Sequence, residues 1–148
     1  RLIPDSYAKD ASLVSRVIAC GGKVYYDLIE EAEKRALKDV AIVRVEQLYP
    51  FPRSELGAEL KRFASAKDVV WCQEEPKNNG AWSFVEPFIE ASLIAAKRKV
   101  IRPRYAGRNA SASPATGLAN RHASEQGALI SHALGLSVRS EIRRRKKA

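Results

Sequence analysis

Four consecutive apolar residues, Val69-Val70-Trp71-Cys72, run into Gln73-Glu74-Glu75-Pro76, a Gly-bearing turn at Lys77-Asn78-Asn79-Gly80, and a second periodic segment opening at Ala81-Trp82. An apolar run ending in polar residues is the mark of a parallel strand covered on both faces, whose C-terminal end delivers contact groups to the sheet edge. The stretch restricts the chain to an α/β architecture before it says anything about activity.

The neighbouring segments alternate in the same way. Val14–Cys20 reads as a first strand, closed by a tight turn at Gly21-Gly22. From Val24 the period becomes helical. Tyr25, Leu28, Ile29, Ala32 and Ala36 share one face, with Glu30, Glu31, Glu33, Lys34 and Arg35 opposite, so a helix is expected to about Lys38. After Asp39, Val40–Val45 is short, β-branched and strand-like. Glu46–Pro52 forms a rigid proline-bearing connection to a helix striped by Leu56, Leu60, Phe63 and Ala64. The strand Asp68–Gln73 follows.

Ser83 and Glu86 have capping-box spacing and place a helix start near Ser83. Pro87 falls near the first turn, and Val85, Phe88, Ile89, Ser92, Leu93 and Ala96 face inward. Lys97-Arg98-Lys99 supplies favourable charge at that helix's end. Val100–Tyr105 is an edge-strand candidate, because Pro103 removes a donor. A loop rich in small residues, Arg108–Gly117, leads to a last helix with Ala123, Gln126, Leu129, Ile130, Ala133 and Leu134 on its inner face. Alternating strands and helices with right-handed crossovers predict a three-layer α/β fold with a mostly parallel, five-stranded sheet.

The 148 residues suit one domain, expected over 1–136, with a basic tail at 137–148. That tail holds Arg139, Arg143, Arg144, Arg145, Lys146 and Lys147 against Glu141, so the net charge of +9 is concentrated there. A terminal basic run of this kind argues for a solvated tail, and nucleic acid is not an expected partner. No apolar run approaches the length of a membrane span. Arg1–Asp5 has no secretory pattern, and the absence of an initiator methionine, and of methionine anywhere, is compatible with a fragment or a processed piece without establishing either. Cys20 and Cys72, without local His or acid partners, read as buried thiols of a reducing compartment.

The residues that could carry chemistry are few. Glu46, Glu74 and Glu75 fall at strand ends, where they could act as acid and base, hold Arg44, Arg104 or Arg108, or pair across an interface; the interface role is expected. Gly21-Gly22 lacks either phosphate-binding spacing, and Arg104, Arg108 and Ser111–Ser113 offer only general phosphate-compatible groups. His122 and His132, ten residues apart, do not share a helix face and cannot form a paired metal motif. Tyr49, Phe51, Trp82 and Phe84 stand beside loops and suit packing against another domain. No catalytic, cofactor-binding or metal-ligating residue is assigned.

Four segments taken in order, Gly22–Leu28 (GKVYYDL), Val40–Pro52 (VAIVRVEQLYPFP), Val70–Trp82 (VWCQEEPKNNGAW) and Arg104–Pro114 (RYAGRNASASP), closely resemble the C-terminal domain of the 2-oxoglutarate dehydrogenase E1 component, over residues 12–136. The resemblance implies a transketolase C-terminal-like domain of a homodimeric oxidoreductase of the tricarboxylic acid cycle. Such an enzyme uses thiamine diphosphate (thiamine pyrophosphate) and Mg2+ to decarboxylate 2-oxoglutarate, and passes a succinyl group to the lipoyl group of the dihydrolipoamide succinyltransferase component. It implies too that the pyrophosphate–metal motif and the activating glutamate belong to two preceding domains. Glu46, Gln47, Glu74 and Glu75 match positions facing neighbouring domains, and Gly80-Ala81-Trp82 matches the turn into the next helix. The expected role is therefore structural and interfacial, in the bacterial cytoplasm or alternatively the mitochondrial matrix, and the isolated chain is expected to be inactive. The alternatives are a regulatory module for a nucleotide such as AMP or for acetyl-CoA, and a nucleic-acid binder acting through the tail.

Overall fold

The computed structural model describes residues 1–112 and 119–136, the side chains of 119–122 excepted. Strand β1 (Leu2–Ile3) is followed by a 3-10 turn at Ala11–Leu13. Then come β2 (Arg16–Cys20), α1 (Val24–Lys34), β3 (Val40–Val45), α2 (Arg53–Arg62), β4 (Asp68–Pro76), α3 (Trp82–Ala95), β5 (Arg104–Arg108) and α4 (Ala119–Leu134). The described strands form a five-stranded sheet in the order β1-β3-β2-β4-β5, with β1 antiparallel to β3 and the remaining pairs parallel. The chain steps outward from β2 to β3, then crosses back past β2 to β4. Strand order thus reverses between β2 and β4, and the crevice at their C-terminal ends is where such sheets gather contacts.

Both faces are covered, as the apolar strands require. Alternate residues of β2, β3 and β4, among them Val17, Ala19, Val43, Val69 and Trp71, pack under α2 and α3 with Leu56, Leu60, Phe63, Val85, Ile89 and Leu93. The intervening residues, including Ile18, Cys20, Ile42, Val70 and Cys72, pack under α1 and α4 with Leu28, Ala32, Leu129 and Leu134. The sheet is the middle of three layers, in agreement with the sequence pattern. Among the described residues, no helix is long and apolar enough to cross a membrane.

Several boundaries differ from expectation, each for a local reason. The N-terminal polar segment contains β1, a two-residue strand too short to leave a periodic signal. Its partner β3 lies at the outer side of the parallel set. There the carboxylate of buried Asp5 extends the pairing, accepting from Ile42 N at 2.7 Å and Ala8 N at 2.9 Å. Helix α1 stops at Lys34 rather than Lys38 because Ala36, at φ +49°, turns the chain so that Leu37 N reaches Ala32 O. Ala36 is consequently exposed, as are Ala64 and Ala123, which were expected to face inward. Arg98 does not serve its own helix: it donates to the carbonyls of Leu60, Ala64 and Ala66, closing the end of α2. Strand β5 begins at Arg104 rather than Val100, since pairing with Val70 starts only after Pro103. The capping box at Ser83 and Glu86 does not form; α3 starts at Trp82 with no side-chain cap of its own.

At the N-terminal end of the sheet, Asp68 joins three strands. It receives Arg104 at 2.7 and 2.6 Å and Arg16 at 2.8 Å. Arg16 reaches onward to Ala133 O at 2.8 Å and so closes the end of α4. A Cβ on Gly135, which sits at φ +71°, would stand 2.6 Å from that guanidinium, so the helix end and the ion pair require a glycine. Burial alone would raise the Asp68 carboxyl, but the Arg104 hydrogen bonds and the charges of Arg16 and Arg104 outweigh it and hold it below its usual 3.8. Because the folded-state value is the lower one, the stabilisation is complete above the unfolded value and disappears as pH falls through the folded value. Urea denaturation should therefore show an acid limb below about pH 4. Asp68→Asn should flatten that limb and cost about 2–3 kcal/mol at neutral pH.

Candidate functional site

The C-terminal edge of the parallel strands is organised by one buried amide. Period-two alternation puts Gln73 on the same face as Val69 and Trp71, at the mouth of the α3-side core, where an uncompensated polar group would be costly. Its Oε1 accepts from Trp71 Nε1 at 2.9 Å and from Trp82 N at 3.0 Å. Its Nε2 faces the carbonyls of Asn79 at 2.8 Å and of Glu75 and Pro76 at 3.2 Å. Gln73 thus takes over the first turn of α3, doing from a distance what an N-cap side chain does locally, and it folds the Lys77–Ala81 turn back onto β4.

The β5 side fastens the same turn. Tyr105 donates to Arg108 O at 2.8 Å and lies within 3.1 Å of Glu75 O, with its ring 5.4 Å from that of Trp82. Burial, the largest influence, pushes the Tyr105 hydroxyl up to about 12, so it remains a donor at any ordinary pH. Gly107 gives this hydroxyl its room. A Cβ there would meet Tyr105 Oη at 2.3 Å and Gln73 O at 2.8 Å. Lys77 N donates to Arg108 O, and Asn78 and Ser111 exchange two hydrogen bonds of 3.0 and 2.9 Å. The two loops after β4 and β5 are therefore a single braced rim.

Between this rim and the ends of β2 and β3 lies a cleft of about 440 Å³, lined by Gly21, Gly22, Val45, Glu46, Leu48, Trp71, Gln73, Glu75, Gly80, Ala81 and Phe84. The connection Glu46–Pro52 forms its outer wall. It contains a cis Tyr49–Pro50 bond, and the Phe51–Phe88–Phe84 rings, with centroids 5.2 and 5.1 Å apart, tie it to α3. Tyr49 is 80% exposed, Leu48 38% and Phe84 39%, so the aromatics read from sequence divide into a buried pair, Phe51 and Trp82, and an outward-facing apolar rim.

The three acids do reach this edge, with different attachments. Glu46 pairs with Arg44 at 2.6 Å, and Arg44 is itself held over the Tyr25 and Tyr26 rings. Glu74 pairs with Lys23 at 2.7 Å and accepts from Gln126 at 3.0 Å on the α1/α4 side; the hydrogen bond from Lys23 raises that lysine's pKa. Glu75 is exposed at the cleft. Glu46 and Glu75 thus line the same cleft while Glu74 turns to the α1/α4 side, and among the described residues that line the cleft there is no hydroxyl, thiol, amine or imidazole. Arg104 and Arg108 lie at opposite ends of β5, about 13 Å apart, the first engaged by Asp68 and the second by Glu125 at 2.8 Å. They do not form one phosphate-binding cluster.

Cys20 and Cys72 are adjacent in register, buried and unbridged. Desolvation pushes Cys20 up to about 12 and Cys72 higher still, which leaves both as unreactive thiols. His132 stands near the Asp68 cluster, where burial and the Arg104 and Arg16 charges push it below 6.5. The His122 side chain, Ser113 and the basic tail lie outside the described residues. Among the described residues, no three His, Cys, Asp or Glu side chains are grouped to hold a metal ion. Sequence reasoning did not single out Gln73, Tyr105, Gly107 or Asn78. Only Gln73 left a signal, as a polar residue on the inward face of an apolar strand.

Comparison with known proteins bears on the whole arrangement. Residues 1–134 match the family described as 2-oxoglutarate dehydrogenase C-terminal. The chain is 57% identical over 127 residues to proteins named 2-oxoglutarate dehydrogenase E1 component from Brucella anthropi and Brucella ovis, an alignment covering 86% of this chain and 12% of each relative. It therefore spans about an eighth of their length. Among solved structures, a split gene transketolase described as an inactive β4 tetramer superposes with a TM-score of 0.53 at 17% identity, covering 92% of this chain and 42% of that one, which supports the transketolase-like fold.

Proposed function

The chain belongs to the 2-oxoglutarate dehydrogenase C-terminal family, and on that premise we propose that it acts as the interface-forming C-terminal domain of an E1 that decarboxylates 2-oxoglutarate and transfers the succinyl group to lipoyl. The observation that carries this reading is the braced, partly apolar edge around Gln73, which presents Leu48, Tyr49 and Phe84 to solvent beside a cleft whose described lining holds no hydroxyl, thiol, amine or imidazole. An edge this heavily cross-braced and this poor in reactive groups suits contact with other parts of a larger enzyme.

Its partners in this reading are the preceding E1 domains, a second E1 subunit and the succinyltransferase component, within a bacterial cytoplasm such as that of the Brucella relatives. Thiamine diphosphate would supply the carbanion chemistry when bound with Mg2+. The residues described here do not fit that group. They bring no three acidic, histidine or cysteine ligands together, and the turn after β2 lacks a phosphate-binding glycine spacing, so no step of the reaction is assigned to them. Regulation by acetyl-CoA or AMP draws less support, because Arg104 and Arg108 are separated along β5 and each is engaged by a carboxylate.

The purified chain incubated with 2-oxoglutarate, thiamine diphosphate and Mg2+ should release no CO2, while sedimenting as a complex with a Brucella E1 truncated to remove the matching region. Robust turnover by the chain alone, or no association with the truncated enzyme, would overturn the reading.

A further inference from the structure

The cleft between the ends of β2, β3 and β4 has apolar walls, Val45, Leu48, Trp71, Ala81 and Phe84, and none of its lining residues is basic. In a chain of net charge +9 its charged groups are two carboxylates. Glu46 is neutralised by Arg44. The carboxylate of Glu75 makes no hydrogen bond or ion pair with any described residue, while its backbone carbonyl is held by Tyr105 and Gln73. It packs against the Gly80 turn, with Oε2 3.1 Å from where a Cβ on Gly80 would stand. The braced rim therefore fixes its backbone at the cleft mouth.

A cation that meets this carboxylate and also lays an apolar stem in the recess gains more than an ordinary surface ion pair, which water and entropy reduce to little. Anionic ligands are disfavoured by the Glu75 carboxylate, which no basic lining residue offsets. A planar guanidinium fits better than an ammonium, because it meets a carboxylate through two parallel hydrogen bonds and can stack on an aromatic ring such as that of the partly exposed Phe84. We propose that this cleft docks an arginine side chain presented by an apolar protein segment, with the guanidinium on Glu75 and the stem between Leu48 and Phe84. The inference rests on reading this edge as a contact surface, and it names the chemistry of what makes the contact.

The test is an NMR titration of the 148-residue chain, at low salt, with the capped tripeptide Leu-Arg-Leu and its citrulline analogue, each to about 10 mM. The arginine peptide should give saturable shifts at the Gly21, Gly22, Gly80 and Ala81 amides and bind about tenfold more tightly than the citrulline peptide, which has the same shape but no charge. Glu75→Gln, an exposed and nearly isosteric change, should erase that difference while leaving the spectrum otherwise folded. Absence of saturable shifts at these amides, equal binding of the two peptides, or an unchanged preference in Glu75→Gln would overturn the proposal. Self-association of the chain abolished by Glu75→Gln would overturn it too, by assigning the cleft to a second copy. Association with the truncated E1 is measured separately, so peptide failure with intact association removes this inference alone, and the converse removes the domain reading alone.

Discussion

Gly107→Ala should destabilise the domain by about 3 kcal/mol, lowering Tm by close to 10 °C. The added methyl would stand 2.3 Å from Tyr105 Oη, 2.6 Å from Tyr105 Cζ and 2.8 Å from Gln73 O. A flexible side-chain tip alone could swing away at little cost. This one is anchored by Arg108 O and Glu75 O and stacked near Trp82, and the third neighbour is backbone inside β4. The clash therefore displaces the ring, with loss of its hydrogen bonds, or parts β5 from β4. A double-mutant cycle with Tyr105→Ala separates the causes: removing the ring should recover much of the loss, and an identical penalty in both backgrounds would place the strain elsewhere.

Gln73→Leu should be at least as damaging, at about 3–5 kcal/mol by urea denaturation. The substitution keeps approximate volume but leaves Trp71 Nε1 and Trp82 N without their acceptor, and removes the donor that faces the carbonyls of Glu75, Pro76 and Asn79. Buried groups left unpaired cost more than the lost hydrogen bonds were worth. Its local signature is equally specific. Amide exchange should accelerate at Asn79–Trp82 through local opening, whereas the β2 and β3 amides should accelerate only as far as the lost global stability dictates, because the core around Ile18 and Ile42 is not touched. Gln73→Glu should preserve the acceptor side yet turn carboxylate oxygen toward three carbonyls, and so should resemble Gln73→Leu at neutral pH.

The contrast between these positions and those legible in the sequence has a physical basis. Val40–Val45 was readable to the residue because a run of β-branched side chains covered on both faces carries its own signal. The helical stripes were readable from their period of about 3.6 residues, Ala36, Ala64 and Ala123 excepted, although the ends of α1 and α3 were not. At the first, a non-glycine residue adopts positive φ at Ala36; at the second, the cap comes from Gln73, nine residues upstream and on another element. Strand β1 exists only because β3 offers an edge, with Asp5 continuing the pairing by side chain. Glu46, Glu74 and Glu75 were correctly placed at strand ends. That Glu74 turns to Lys23 and Gln126 while Glu46, paired with Arg44, and Glu75 line the cleft depends on which face each element leaves free, and spacing along the chain does not encode this. Likewise Arg104 and Arg108 look like neighbours in sequence, but an extended strand puts them at opposite ends of the sheet.

The central claim is that this domain completes a larger enzyme through its C-terminal edge. Its most direct measurement is 2-oxoglutarate decarboxylation by a Brucella E1 lacking the matching C-terminal region, assayed with and without this chain added in trans. The account predicts that the truncated enzyme regains activity in proportion to added chain, and that Gln73→Leu, which disorganises the edge, restores far less at equal concentration. Full recovery with the Gln73→Leu chain, or no recovery with the unaltered chain despite its folding, would contradict it.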